Sequence, residues 1–334
     1  MRIVVDAMGS DDFPGPDVAG AVLAAQAYPD TTVILVGDEA QIKTELDKHP
    51  HRGLKLEVLH SPEYVTMEDL PAQVGRAKPQ SSMHIGTQLV KDGAADGFVS
   101  AGNTGAALAI STLHTLKRIP KVKRPMLAAI APLSLHHPRR LVMSDIGANT
   151  DCRPEWLLQF AQMSHSYAKH VLKNPSPRVG LLSNGEEEIK GNELTRQAYT
   201  LLKASGMNFV GNVEAKDVLI QGSVDVLVFD GFAGNVFMKT VEATASGMGQ
   251  LIRKEIKKKP LTALGGLLAR PAFERIRKLN DPFEIGGTLL LGVQGVVIIA
   301  HGRTNALGIK NSVRMAREAV QADLVSIIEA SIQD

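Results

Sequence analysis

The sequence predicts an α/β fold built on a mostly parallel sheet. Short β-rich runs alternate with longer helical stretches, the runs are apolar almost without interruption, and small polar turns follow them. Unbroken apolar character suits strands covered on both faces, as in parallel sheets; a half-exposed strand would alternate. Alternation of strand and helix is the pattern of βαβ units.

Strands are expected at residues 3–5, 33–36, 56–59, 97–99, 126–131, 141–143, 179–182 and 224–229. Helices are expected at 16–27, 39–48, 82–91, 105–116, 153–172, 193–204, 235–257, 271–278 and 305–328. No internal repeat, low-complexity tail or long linker divides them, so a single α/β domain over residues 1–334 is expected. The loop from Pro120 to Pro125 is basic and bracketed by prolines, a place suited to a change of sheet layout or a domain junction.

With 44% hydrophobic and 22% charged residues, the chain can bury a sizeable core, and with 4% aromatics that core is mostly aliphatic. A formal net charge of +2 argues against a strongly electrostatic binder, so no nucleic-acid partner is expected. The lone cysteine, Cys152, rules out an internal disulfide and fits a reducing cytoplasm. The N-terminus enters a strand-like run without a signal-peptide plan, and no apolar stretch is long enough to span a bilayer. A soluble, cytoplasmic protein is expected, with attachment to a membrane surface left open.

Five polar turns carry the candidate chemistry. They are Asp6-Ala7-Met8-Gly9-Ser10-Asp11, Ser100-Ala101-Gly102-Asn103-Thr104-Gly105, Asp145-Ile146-Gly147-Ala148-Asn149, the stretch from Ser183 to Asn192, and Asp230-Gly231-Phe232-Ala233-Gly234-Asn235. Gly, Asn, Asp and Ser are good turn and cap residues in their own right. Together, however, the five are expected to share the carboxyl edge of the sheet, where open α/β sheets bind ligands. The second turn opens an Ala-rich helix, whose N–H groups and dipole suit a phosphate. Several chemistries are missing: there is no Gly-x-Gly-x-x-Gly, no P-loop, no His-Glu-x-x-His, no paired cysteine motif and no Gly-x-Ser-x-Gly.

At these turns the sequence resembles the PlsX family of acyl-ACP:phosphate acyltransferases. The likeness rests on the Asp-Ala-Met-Gly-x-Asp start, Ser-Ala-Gly-Asn-Thr-Gly-Ala, Asp-Ile-Gly-Ala-Asn, Leu-Ser-Asn-Gly-Glu-Glu-Glu-Ile-Lys-Gly-Asn and Asp-Gly-Phe-Ala-Gly-Asn-Val, in family order from Asp6 to Val236. Ser10 stands where a second glycine is expected. The resemblance implies a three-layer αβα fold like that of isocitrate and isopropylmalate dehydrogenases, shared with phosphotransacetylases. It implies a homodimer with no cofactor and no metal. The implied reaction joins inorganic phosphate to an acyl group from acyl carrier protein, giving acyl phosphate for phospholipid synthesis.

Phosphate attacking a thioester needs positioning and a home for the developing oxyanion, with no enzyme nucleophile required. Lys190 is the first candidate, as a compact cation for phosphate or the thioester carbonyl, against a surface lysine balancing Glu186–Glu188. Asn235 is the second, as an oxyanion donor or a helix cap. Asp6, Gly9, Asn103, Thr104, Asp145, Asn149, Asn184, Gly185 and Asn192 are candidate pocket residues. Cys152 is a possible acyl carrier but reads better as a small buried side chain. His136 and His137 read as a solvated turn, and His301 as an outside candidate.

From Arg253 to Lys278 the chain is basic at both ends and apolar between, with Leu261, Leu264, Leu267 and Leu268. A protruding helical hairpin at about 250–280 with an apolar tip is expected to meet the anionic inner face of the cell membrane. Its cations also suit acidic carrier protein, and a plain helix pair with a solvated lysine face is the alternative. Three other readings compete: a phosphotransacetylase-like enzyme using acyl-CoA, a decarboxylating dehydrogenase, which the missing dinucleotide fingerprint disfavours, and a catalytically silent membrane scaffold.

Overall fold

A computed structural model describes residues 1–134, 137–279 and 281–332. Among them eleven strands form one sheet: β1 Arg2–Asp6, β2 Thr32–Gly37, β3 Leu56–His60, β4 Gly97–Ser100, β5 Met126–Ser134, β6 His137–Ser144, β7 Val179–Leu182, β8 Phe209–Val213, β9 Val226–Val228, β10 Thr288–Leu291 and β11 Val296–Ile299. The helices are α1 Gly15–Ala27, α2 Glu39–Leu46, α3 Pro71–Ala77, α4 Ser82–Lys91, α5 Thr104–Ala109, α6 Pro154–His170, α7 Glu193–Ala204, α8 Gly231–Ile256, α9 Pro260–Leu279, α10 Pro282–Ile285, α11 Ala306–Gln321 and α12 Leu324–Ser331. Two single π-turns, Ile110–His114 and Asp217–Gln221, complete the set.

The strand order is β3-β2-β1-β4-β11-β10-β5-β6-β9-β7-β8. Pairing is parallel from β3 to β11 and again from β6 to β8. Between these blocks the three pairings β11–β10, β10–β5 and β5–β6 are antiparallel.

Side chains alternate across each strand and feed two cores. Ile3 and Val5 of β1 join Val18, Phe160, Ala198, Ile309 and Leu324, so α1, α6, α7, α11 and α12 cover one face. Val4 points the other way, into a cluster with Met83, Phe98, Ala106 and Leu290 under α4 and α5. Beyond β5 that second face is covered by Val218, Phe229 and the start of α8. This is the mostly parallel, three-layer αβα sandwich that the residues and the resemblance led one to expect.

Three strands escape the sequence pattern. β8 contains Gly211 and Asn212, which weaken a strand signal. β10 and β11 merge into one apolar run, and their turn is made by Gly292, at φ +93°, and Gly295. The helix expected from 271 begins at Pro260 and passes through Pro271. The long helix expected over 305–328 breaks at Asp323, which adopts φ +51°.

Candidate active site

Three antiparallel pairings in a row reverse the sheet. The carboxyl ends of β1, β4 and β11 therefore lie on one edge, and those of β6, β9 and β7 on the opposite edge. The expectation that all five polar turns share an edge is corrected: they form two groups, because strand direction depends on non-local pairing that no turn records.

The first group joins the turns after β1 and β4. A β-carbon on Gly9 would lie 2.9 Å from the Gly102 amide nitrogen, so the two backbones touch. Asp6 is 1% exposed and accepts from Ser100 Oγ at 2.7 Å and the Met8 amide at 3.1 Å. Burial pushes its carboxyl up from the ordinary range, against those hydrogen bonds. Asn103 caps α5 by accepting from Ala106 N at 3.0 Å, and its amide reaches the Asp69 carbonyl at 3.1 Å. Asn103 is thereby committed to the fold, while Thr104 beside it is exposed. His301 accepts from its own turn, from the Arg303 amide at 3.3 Å. Below lies a feature the sequence reading missed. Buried Asp17 accepts from Ser10 Oγ at 2.5 Å, its Oδ1 lacks a partner, and desolvation raises its carboxyl to about 7. The signal was Ser10 itself, a hydroxyl seven residues before an acid in the first turn of α1.

The second group is built around Asp145. Its Oδ1 accepts from Leu127 N at 3.1 Å and Ala148 N at 3.0 Å, and its Oδ2 from Asn149 N at 2.7 Å and Asn149 Nδ2 at 2.9 Å. Burial raises its carboxyl from the usual range. Asp145 and Asn149 thus form a scaffold, with the Asn149 amide also donating to the Pro125 carbonyl at 2.9 Å. Helix α8 starts against this scaffold. Gly231 N donates to the Asn149 carbonyl at 2.7 Å, and Asp230 caps the helix through Ala233 N at 2.8 Å. A β-carbon on Gly234 would sit 2.1 Å from the Asp145 carbonyl oxygen.

Asn235, one residue on, sets its amide over Gly147; a β-carbon there would be 2.8 Å from Asn235 Nδ2. Gly147 adopts φ +140°, a conformation that favours glycine. Asp230 performs the capping, so Asn235 is not the cap, and its side chain has no hydrogen-bond partner among the described residues. Cys152 donates to the Asn149 carbonyl at 3.3 Å, and burial raises its thiol to about 12. A neutral, half-buried thiol is a poor nucleophile.

The loop after β7 lies beside this group, because β7 pairs with β9. Asn184 Oδ1 accepts from Gly191 N at 2.9 Å and closes the loop, and Asn192 caps α7 through Thr195 N at 2.9 Å. The buried Gly185 leaves room for the stem of Lys190, whose Cγ is 2.8 Å from where a β-carbon would stand. Two of the neighbouring glutamates are paired elsewhere, Glu188 with Lys203 at 2.9 Å and Glu186 with Lys216 at 3.8 Å; Glu187 is the one left beside Lys190, its Oε2 2.9 Å from the same point over Gly185. Lys190 is exposed and has no ion pair among the described residues. Glu186, Glu214 and Asp217 come close enough to suggest a cation site, but Lys216, 2.5 Å from Glu214, already supplies the charge.

Helices α8 and α9 are joined by residues 257–259 and meet at that joint, where Gly266 lies against Ile256. The tip is therefore the lysine turn Lys257-Lys258-Lys259, not the leucines; Leu261, Leu264, Leu267 and Leu268 lie on α9, and all four are exposed. Among the described residues no helix is long and apolar enough to cross a membrane. His136 and the side chain of His137 lie outside the described residues.

The profile of the fatty acid synthesis protein family matches residues 1–327. A phosphate acyltransferase of Pelotomaculum thermopropionicum is 46% identical over 333 residues, covering 100% of this chain and 95% of the relative. Another, of Trichlorobacter lovleyi, is 42% identical over 334 residues, again covering 100% and 95%. Among solved structures, a phosphotransacetylase of Streptococcus pyogenes superposes with TM-score 0.62 at 18% identity, covering 97% of this chain and 94% of that one. The EutD phosphotransacetylase of Staphylococcus aureus gives TM-score 0.60 at 18% identity, covering 96% and 94%. These structures share the fold, and the full-length sequence relatives settle the family: the chain belongs to the fatty acid synthesis proteins, the PlsX phosphate acyltransferases.

Proposed function

We propose that the chain transfers a long-chain fatty-acyl group from acyl carrier protein to inorganic phosphate, releasing acyl phosphate for phospholipid synthesis. The observation that carries the chemistry is a pair of uncommitted groups on neighbouring strand ends. Among the described residues Lys190 offers an ammonium without an ion pair, and Asn235 an amide without a hydrogen-bond partner, beside a scaffold in which the Asp145 carboxylate and the Asn149 amide N–H groups are in use.

In this reading Lys190 holds phosphate by charge and hydrogen bonding. A phosphate oxygen attacks the thioester carbon, and the carbonyl electrons move onto oxygen, where the Asn235 N–H donates. The tetrahedral adduct then collapses, the C–S bond breaks, and the thiolate leaves on the carrier, taking up a proton from water. Asp6, Asp145 and Asn149 position loops. Gly9, Asn103, Thr104, Asn184, Gly185 and Asn192 shape the two loop groups. Cys152 stays a thiol throughout.

Purified protein with palmitoyl carrier protein and inorganic phosphate should form acyl phosphate and free carrier, followed by mass spectrometry. The phosphotransacetylase fold keeps one second reading in view, an acyl-CoA donor; turnover of short acyl-CoA without turnover of the carrier-bound donor would establish it instead. The proposal extends to a homodimer, to be read by light scattering. It also extends to peripheral attachment at the inner face of the membrane through α8 and α9, supported by the exposed leucines beside a lysine turn.

A further inference from the structure

The chain's one tryptophan, Trp156, lies in the first turn of α6, four residues beyond Cys152. Two guanidiniums flank it: Arg124 is 4.8 Å from the ring centroid and Arg153 is 5.9 Å. Both arginines are exposed, and neither makes an ion pair among the described residues, although Asp151 and Glu155 are near in sequence. Stacking on an indole holds a guanidinium in place while leaving its N–H groups free.

The backbone beneath is fastened. Gln159 accepts from Lys123 N at 2.8 Å and donates to the Lys121 carbonyl at 3.1 Å. Arg118 Nη1 donates to the Lys123 carbonyl at 2.6 Å. The loop carrying Arg118, Lys123 and Arg124 is therefore a fixed cationic ledge. It adjoins the Asp145 scaffold, because Asn149 Nδ2 bonds the Pro125 carbonyl. Arg153 is four residues from Asn149, at most about 14 Å of chain.

We propose that Arg124, Trp156 and Arg153 form the docking site for an acidic surface of the carrier protein, placing its acyl arm at the Asp145–Asn235 edge. This rests on the donor assigned above. Exposed, unpaired and pre-positioned cations at the mouth of a site match an acidic partner in charge, and such contacts govern encounter and donor affinity more than the chemical step.

The tryptophan makes the test direct. Titrating the protein with carrier protein lacking any acyl group should shift Trp156 emission saturably, and more weakly as salt rises. The R124Q/R153Q variant should lose that response and raise KM for the carrier-bound donor about tenfold or more, with kcat within about twofold. Its rate with an acyl-pantetheine, which has neither protein nor phosphate, should equal that of the parent. An unchanged KM for the carrier-bound donor would overturn the proposal. So would an equal loss with acyl-phosphopantetheine, which places the contact on the phosphodiester, or a loss confined to anionic vesicles. If the parent binds the carrier through these arginines but transfers nothing, the assigned reaction fails while the docking site stands.

Discussion

Lys190 is prepared for an anion by what its neighbours do. Glu186 and Glu188 have their own lysines, and Gly185 makes room for the stem. Replacing Lys190 with alanine should lower kcat/KM for phosphate by about 10²-fold or more, and Asn235→Ala should lower kcat by about the same factor, since each removes one stabilising group. Steady-state kinetics at varied phosphate reads both. An unchanged kcat/KM for phosphate in Lys190→Ala would remove the assignment. A different residue governs pH. Asp17 is raised to about 7 by burial, so the folded state prefers its protonated form. That preference stabilises the fold fully below about pH 4 and is lost as pH rises toward 7, a change of about 4 kcal/mol. Asp17→Asn should therefore match the parent in melting temperature near pH 4 and exceed it at pH 8, as calorimetry across that range would show. The family motifs singled out Lys190 and Asn235 in the sequence, and among the described residues the structure leaves Lys190 without an ion pair and Asn235 without a hydrogen-bond partner. They did not reveal Asp17, whose environment is made chiefly by burial, with Ser10 as its one local sign.

Among the elements, α8 depends on glycine for its position. A β-carbon at 234 would collide with the Asp145 carbonyl and with Phe229, at 2.1 and 2.3 Å, and neither can move freely. Gly234→Ala should cost about 3 kcal/mol or more by overpacking, with activity falling alongside, in denaturant titration. Further along, the exposed leucines of α9 give the membrane proposal its test: L264E/L267E should abolish co-sedimentation with anionic liposomes while leaving transfer to phosphate in solution intact. Unchanged sedimentation would end that idea. Sequence periodicity located α4, α6 and α7 closely, because each carries an apolar face and clear ends, and α1 was marked by its opening prolines and an alanine-rich run. It failed at β10 and β11, where two short strands and their turn make one apolar stretch, and at α9, where Pro271 looked like a start and is an interior residue.

At the level of the whole molecule, the layers were legible but the geometry of the site was only half so. Continuous apolar strands announced a covered sheet. The one local sign of the three antiparallel pairings that turn one block of strands against the other was the Pro120–Pro125 loop leading into β5; it did not record their direction, nor with it the separation of the Asp6 turn from the Asp145 turn. The sheet thus presents two loop groups of different character. The one around Asp6 and Asp17 is buried and locked, and the one around Asp145 ends in free polar groups and borders the arginine ledge.

Helix α8 also sets a distance. It begins at the scaffold and runs 26 residues without a break, about 39 Å. A fatty chain covers roughly half of a bilayer's ~30 Å hydrocarbon core. With the lysine turn resting on the membrane and the helix upright, a product head group still at Asn235 would leave its tail well short of the lipid. The leucines along α9 would then serve as a path as well as an anchor, a greasy handrail down which the acyl chain travels before it meets the bilayer.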